Sequence, residues 1–495
     1  MFPHAHDKLF RLAAPLLTVA VLAVTGCTSG ITSSTATQSS AATGPAFIVG
    51  TDAPLASVVS YNATITGLVA NPTNGGKPVS LLASGSTPTV DFARFNGLQT
   101  LLDMNDVAAG TYDSVTITLG TSTIGYLNVP TCSPTPCTPA APSILSMAAS
   151  YATGSNPVTV KLDKPLVIGG TASVPVGVRI DFDLAKSIEV DGTGAFTGTV
   201  IPTFNVNTVA TSDGGGYIDE LSGGVTTPPT GTTEPNSFVI QGPHGEKFTI
   251  NTTSSTQWDG DATLASLNTN SIVQVMGKLD PADQTLDADE VAILSDSNFY
   301  ATGQITYVTE ASGQPASNFD LYVRALEPSS LPISLGNIAQ VNLTGSEKYF
   351  IYNMRNPLTG FLFNSSALVA GQDVAIGGPD SGVVSETSVA VNRIHLRNWG
   401  FNGTIVKGSE NASQGSFQMQ VKGFAGVLIP ETITVYLGGK CDFRYGMGAF
   451  TDLTDGANIR VVGLLLKNPT NGQVILWARH VDGLNFTDFT TAAFE

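Results

Sequence analysis

The sequence predicts an all-β protein: an N-terminal β-sandwich of immunoglobulin-like or prealbumin-like kind, followed by three small β-barrel repeats. Three observations carry this prediction. Apolar and polar residues alternate at period two through several short stretches. Gly, Pro, Asn and Asp clusters punctuate those stretches at close intervals. One strand pattern, [Val/Ile]-x-[Val/Ile]-x-Gly, occurs three times in the C-terminal half.

The sandwich is assigned to residues 46–222. Its clearest strand is Val176-Gly-Val-Arg-Ile-Asp-Phe-Asp-Leu184. Val176, Val178, Ile180, Phe182 and Leu184 take one face; Arg179, Asp181 and Asp183 take the other. That alternation predicts a half-buried antiparallel strand with a solvated polar face. Val115–Leu119 repeats the pattern with threonines outward, and Tyr61, Ala63 and Ile65 mark an earlier strand. Asn71–Gly76, Ala109-Gly110 and Asp191–Gly194 supply turns. From Gly120 to Asn156 the pattern breaks, which predicts a surface insertion with a helical turn near Ile144–Tyr151.

Thr226–Pro235 is a Thr/Pro-rich stretch, so residues 223–236 are assigned to a linker. Beyond it come the three barrel repeats, at 237–297, 298–397 and 398–486. The repeated strand holds Val273, Val275 and Gly277; then Val374, Ile376 and Gly378; then Ile459, Val461 and Gly463. Each copy is followed by a spaced pair, Ala288/Val291, Val391/Ile394 and Ala478/Val481. Each is preceded by a Phe-x-apolar strand: Phe238/Ile240, Phe319/Leu321 and Phe417/Met419. Gly223-Gly-Val225, Gly303-Gln-Ile305 and Gly403-Thr-Ile405 open the copies. Closing each unit into a barrel would remove exposed strand edges.

Two resemblances follow from these motifs. Gly50–Pro54, Asn62–Gly67 and Val107–Ile117, in that order, resemble domain of unknown function 4382, which occurs at the N-terminus of bacterial lipoproteins. The likeness spans roughly residues 46–210. Its motifs are structural, so it implies a fold and carries over no active site. The threefold pattern is similar to domain of unknown function 5666, and the first copy fits it best.

Composition narrows the function. Only 12% of the 495 residues are charged, yet 42% are hydrophobic, so Thr, Ser, Asn and Gly must cover the surface, as suits a secreted β protein. Residues 1–26 have the form of a signal: His4, His6, Lys8 and Arg11 precede an apolar run, Leu12–Val24. That run is too short to span a bilayer at rest. Leu22-Ala-Val-Thr-Gly-Cys27 resembles a bacterial lipobox, which implies cleavage before Cys27 and acylation of its thiol. More than one acyl chain makes such anchoring effectively permanent. Thr28 is not the aspartate that retains some lipoproteins at an inner membrane, so the resemblance implies the outer membrane. Residues 27–45 would be a flexible tether of roughly 25 Å root-mean-square reach. Removing residues 1–26 takes away Lys8, Arg11 and Asp7, leaving 20 basic and 38 acidic residues. That balance excludes nucleic acid as a partner, and also a polybasic grip on anionic lipid.

Cys132 and Cys137 flank four residues and are expected to form a small disulfide in an oxidising compartment. Cys441 is expected to be a buried free thiol. No catalytic constellation, metal site or cofactor motif stands out. Asp181 and Asp183 have the spacing of a glycosidase pair, but alternation alone places them together. Asp280, Asp283, Asp287, Asp289 and Glu290 form an acidic run that fits no EF-hand spacing. His244, His395 and His480 are scattered. Trp258, Trp399, Phe401, Phe443, Tyr445 and Trp477 are either barrel core or sugar-stacking platforms. The sequence therefore predicts a non-catalytic, lipid-anchored envelope protein for binding, adhesion or envelope structure, with an envelope protein as partner. The competing expectation is a surface glycan-binding or glycan-processing protein.

Overall fold

The computed structural model describes residues 43–483, apart from 54–57, 129–142, 170–175, 193–194, 212–215, 243–246, 284, 298, 312–313, 329, 353–360, 379–382, 386, 423–427, 445–446 and 469–470. Cys27, Cys132, Cys137, His244 and Tyr445 lie outside the described residues, as do the expected signal and most of the tether. Among the described residues the chain is mostly strand, and no helix is long and apolar enough to cross a membrane.

The N-terminal module comprises β1 (Thr43–Ala53), β2 (Val58–Pro72), β3 (Val79–Ser80), β4 (Thr89–Asp91), β5 (Thr100–Ala108), β6 (Gly110–Asn128) and β7 (Ser143–Ala148). It continues through β8 (Ser150–Tyr151), β9 (Val158–Ile168), β10 (Val176–Asp183), β11 (Ile188–Val190), β12 (Phe196–Val200) and β13 (Phe204–Ala210). One sheet runs β13-β10-β1-β5; another runs β3-β2-β6-β7, with β4 on β2 and β9 on β6. Their inward residues share one core: Ile48, Val178, Ile180 and Phe182 from the first, Tyr61, Ile65, Val115 and Ile117 from the second. Tyr61 stacks on Phe182 at 4.8 Å.

The first sheet is buried on one face and covered in part on the other. Phe47, Val49 and Leu101 point the other way and join the core of the next module. This corrects the reading of Val176–Leu184. The strand pairs in parallel with β1 and antiparallel with β13, and its polar face is partly covered, with Asp183 buried and Arg179 and Asp181 half-buried. Asp183 is 4% exposed; its Oδ1 accepts from the Lys186 backbone N–H at 3.0 Å and caps α1 (Leu184–Ser187). Asp181 is half-buried, and burial pushes its carboxyl up. Period two reports which side a residue is on, not whether that side meets water.

The expected helical turn near Ile144–Tyr151 is strand instead. Ser143–Ala148 pairs with Thr123–Asn128, and β6 passes through Gly120 without a break. The assignment of residues 223–236 to a linker is corrected as well. The next module comprises β14 (Tyr217–Thr227), β15 (Asn236–Gln241), β16 (Lys247–Thr252), β17 (Gln257–Asp259), β18 (Ile272–Asp280) and β19 (Thr285–Ser295). β14 pairs with both β15 and β18, so the Thr/Pro-rich stretch connects two strands of one barrel. Loops within a domain and linkers between domains share that composition. The β16–β19 pairing closes the barrel at five strands.

Next come β20 (Tyr300–Glu310), β21 (Ala316–Glu327), β22 (Ile338–Asn342), β23 (Lys348–Ile351), β24 (Asp373–Gly377), β25 (Val383–Ser385), β26 (Ser388–Ala390) and β27 (Arg393–Arg397), joined in one eight-stranded sheet. Finally β28 (Trp399–Ile405), β29 (Ser416–Lys422), β30 (Thr432–Arg444), β31 (Asn458–Lys467) and β32 (Val474–Gly483) close a second five-stranded barrel. The middle sheet follows the same course as the barrels. In the first barrel the parallel pairings are Thr249↔Thr285 and Gln257↔Glu290. In the middle sheet they are Gln340↔Ser388 and Lys348↔Arg393; in the last barrel, Thr434↔Ile475 and Asp442↔His480. Each second pair lies eight residues further on one partner and five on the other. In the middle sheet the last strand is interrupted at Val391-Asn392, which opens the named strands without changing the register.

Candidate functional site

The modules meet around one short segment, Asp91–Gln99. β4 ends at Asp91, and Phe92–Phe95 make a single 3-10 turn. Phe92 is buried against Phe182 at 5.1 Å, which anchors the turn in the sandwich core. The turn delivers Arg94 into a buried ionic cluster. Arg94 Nη2 lies 2.6 Å from Glu220 Oε2 and 3.4 Å from Asp373 Oδ1. Arg397 pairs with the same two acids, at 3.3 Å from Asp373, and donates from Nε to Gln274 Oε1 at 3.0 Å. Arg324 donates to Asp91 Oδ2 at 2.8 Å. The Arg94 and Arg324 guanidiniums both lie over the Trp399 ring, at 5.1 and 4.5 Å.

The rest of the segment reaches the other modules. The Gln99 backbone N–H donates to Asp219 Oδ2 at 2.9 Å, and Asp219 pairs with Arg479 at 3.1 Å. Asn96 Nδ2 donates to the Gly400 carbonyl at 2.9 Å. Gly97 turns the chain at φ 76°, where a side chain would also meet Val462 Cγ2 at 2.8 Å. Sandwich, first barrel, middle sheet and last barrel are thus tied together through one hub.

Burial outweighs Arg94 and Arg324 at Asp373 and pushes its carboxyl up to about 6. Burial and then Arg94 hold the Arg397 guanidinium well below its usual range. Asp373 binds its proton more tightly folded than unfolded. It therefore favours the fold below about pH 4, and that contribution fades as pH rises through about 6. Between pH 7 and pH 4, wild type is expected to gain on the order of 2 kcal/mol relative to Asp373→Asn. Thermal melts of both proteins across that range check this, and parallel curves would contradict it.

Beside the cluster lies a cavity of about 400 Å³. Arg94, Arg324 and Arg397 line it together with Asp91 and Glu220. Leu101, Leu102, Leu221, Phe248 and Leu326 form apolar wall, and Leu335, 57% exposed, stands on the rim.

The residues singled out from sequence lie elsewhere. The acidic run splits: Glu290 is fully buried, whereas Asp287 accepts from Asn251 at 3.0 Å and Asp280 from the Ala282 backbone N–H. Among the described residues no group of three or more His, Cys, Asp or Glu side chains could hold a metal. His395 and His480 are buried in separate modules; burial, then Arg393, holds His395 down to about 3. Cys441 is a free thiol, half-buried rather than fully buried, and burial pushes it up to about 12. Trp399 and Phe401 are buried, and Trp258, Trp477 and Phe443 pack half-buried against cores. Trp258 Nε1 donates to Glu234 Oε1 at 3.0 Å.

Sequence reasoning passed over Arg94, Glu220, Arg324, Asp373 and Arg397. A usable signal existed. In a chain with so few charges, an ionised residue on an apolar strand stands out, as Arg397 does after Ile394-His-Leu396 and Asp373 before Val-Ala-Ile376.

The family model "Domain of unknown function (DUF4382)" matches residues 48–197, most of the sandwich and the segment that forms the hub. The family model "Domain of unknown function (DUF5666)" matches residues 225–292, the first barrel. No curated protein matches the chain.

Proposed function

We propose that this is a lipid-anchored protein of the bacterial cell envelope, placed at the outer membrane, whose β modules form one rigid, non-catalytic binding body. The middle sheet and the last barrel are read as further copies of the module that the second family model matches in the first barrel. The carrying observation is the hub. Four modules meet through buried ion pairs in one segment, which favours a fixed body presenting surfaces over a string of independent domains. The Leu22–Cys27 stretch supports the anchor, and the oxidising compartment it implies would let Cys132 and Cys137 pair as expected. Burial of Trp399 and Phe401 leaves less aromatic surface for stacking sugars, which weighs against the glycan reading. The test is metabolic labelling with an alkyne palmitate analogue, followed by membrane fractionation. Wild type is expected to take up label and sediment with membranes, and Cys27→Ala to lose both. Equal labelling of the two proteins would overturn the anchored reading.

A further inference from the structure

We propose that the cavity between the sandwich, the first barrel and the middle sheet binds a small amphiphile with an apolar tail and a carboxylate head. Its volume of about 400 Å³ lies within the usual range for small-molecule sites. Its chemistry is divided. One part of the wall is aliphatic and aromatic, from Leu101, Leu102, Leu221, Phe248 and Leu326, and offers water few partners. The other part holds the guanidiniums of Arg94, Arg324 and Arg397 beside Asp91 and Glu220, with the buried Asp373 behind them, so three cations face three acids.

Those guanidiniums are not saturated. The Arg324 and Arg94 side chains are 2% and 7% exposed, yet Arg324 Nε and Nη2 and Arg94 Nε and Nη1 have no hydrogen-bond acceptor. Buried donors without acceptors are unfavourable, and an anionic oxygen entering beside them would relieve that cost. The net charge of −17 does not oppose this. Charges beyond about 8 Å are largely screened at physiological salt, so the unpaired local donors decide. The exposed apolar Leu335 at the rim suits passage of a hydrocarbon chain. The inference rests on reading the folded body as a binding unit and does not depend on the anchor.

The test uses the full chain carrying Cys27→Ala, so that no acyl chain of its own competes. Titrated with dansyl-undecanoate, it is expected to give a saturable, blue-shifted fluorescence rise that tetradecanoate reverses. Tetradecanol, which lacks the charge, should compete at least about tenfold less well. Leu335→Glu puts a negative charge at the rim on an exposed site that the fold does not need, and should weaken the probe about tenfold with an unchanged circular dichroism spectrum. Absence of saturable binding by the parent chain would overturn the proposal. So would equal competition by the alcohol, or undiminished binding by Leu335→Glu. Any of these would leave palmitate labelling at Cys27 untouched, so failure of the cavity and failure of the anchor are told apart.

Discussion

Replacing Arg94 by alanine is expected to lower stability by about 3–5 kcal/mol and to split thermal unfolding into more than one transition. Arg94 faces two acids, Glu220 and Asp373, and all three are buried. Removing the cation leaves those acids with Arg397 as their shared partner, and it empties the space over Trp399. Arg94→Lys should recover little, because an ammonium neither spans both acids nor stacks on the indole. The combined variant Arg94→Met, Glu220→Leu, Asp373→Leu, Arg397→Met is expected to return close to wild type. A buried ion cluster contributes little net stability over well-packed apolar groups, although breaking it is costly. Calorimetry on the four proteins reads both effects. If Arg94→Ala melted in a single transition at the wild-type temperature, the hub would not be what joins the modules.

The parts of the molecule that were legible in sequence are those written locally. The Val-x-Val-x-Gly strand and its partners align the modules because strand faces and glycine approaches recur at fixed spacing. The pairings Val275↔Val291, Ile376↔Ile394 and Val461↔Val481 show the same register. The hub was not legible because its pairs are distant in the chain. Arg94 and Glu220 are 126 residues apart, and Arg324 and Asp91 are 233 apart. Strand alternation could not reveal that the face of Arg179 and Asp181 is partly covered. A sheet packed between two cores and a sheet half in water alternate alike unless the second face is itself apolar. At Ile144–Tyr151 the expected turn failed because a short edge strand with mixed exposure has no clean period.

The glycines that open each module make the second large prediction. Gly223, Gly303 and Gly403 occupy matching places on the first strand, facing the second strand at Gln241, Tyr322 and Gln420. A methyl group at Gly223 would sit 2.6 Å from the Gln241 carbonyl oxygen, and at Gly303 it would press harder still on the Tyr322 carbonyl. The obstacle is neighbouring backbone, which cannot rotate away as a side chain can. The constraint is steric closeness, since none of the three has positive φ. Glycine here lets the first strand lie close against the second so that the sheet curls, and in the two barrels five strands then close. Gly303→Ala is therefore expected to cost about 3 kcal/mol or more, by overpacking against a ladder that must shift to accept it. Gly223→Ala should cost somewhat less. The internal control is the next residue: Gly224 has nothing within 4 Å of the added carbon, so Gly224→Ala should stay within about 0.5 kcal/mol of wild type. A general loss of backbone freedom would affect Gly223→Ala and Gly224→Ala alike, whereas close approach separates two adjacent positions on one strand. Denaturant midpoints that moved equally for both variants would remove glycine packing as the reason these barrels close.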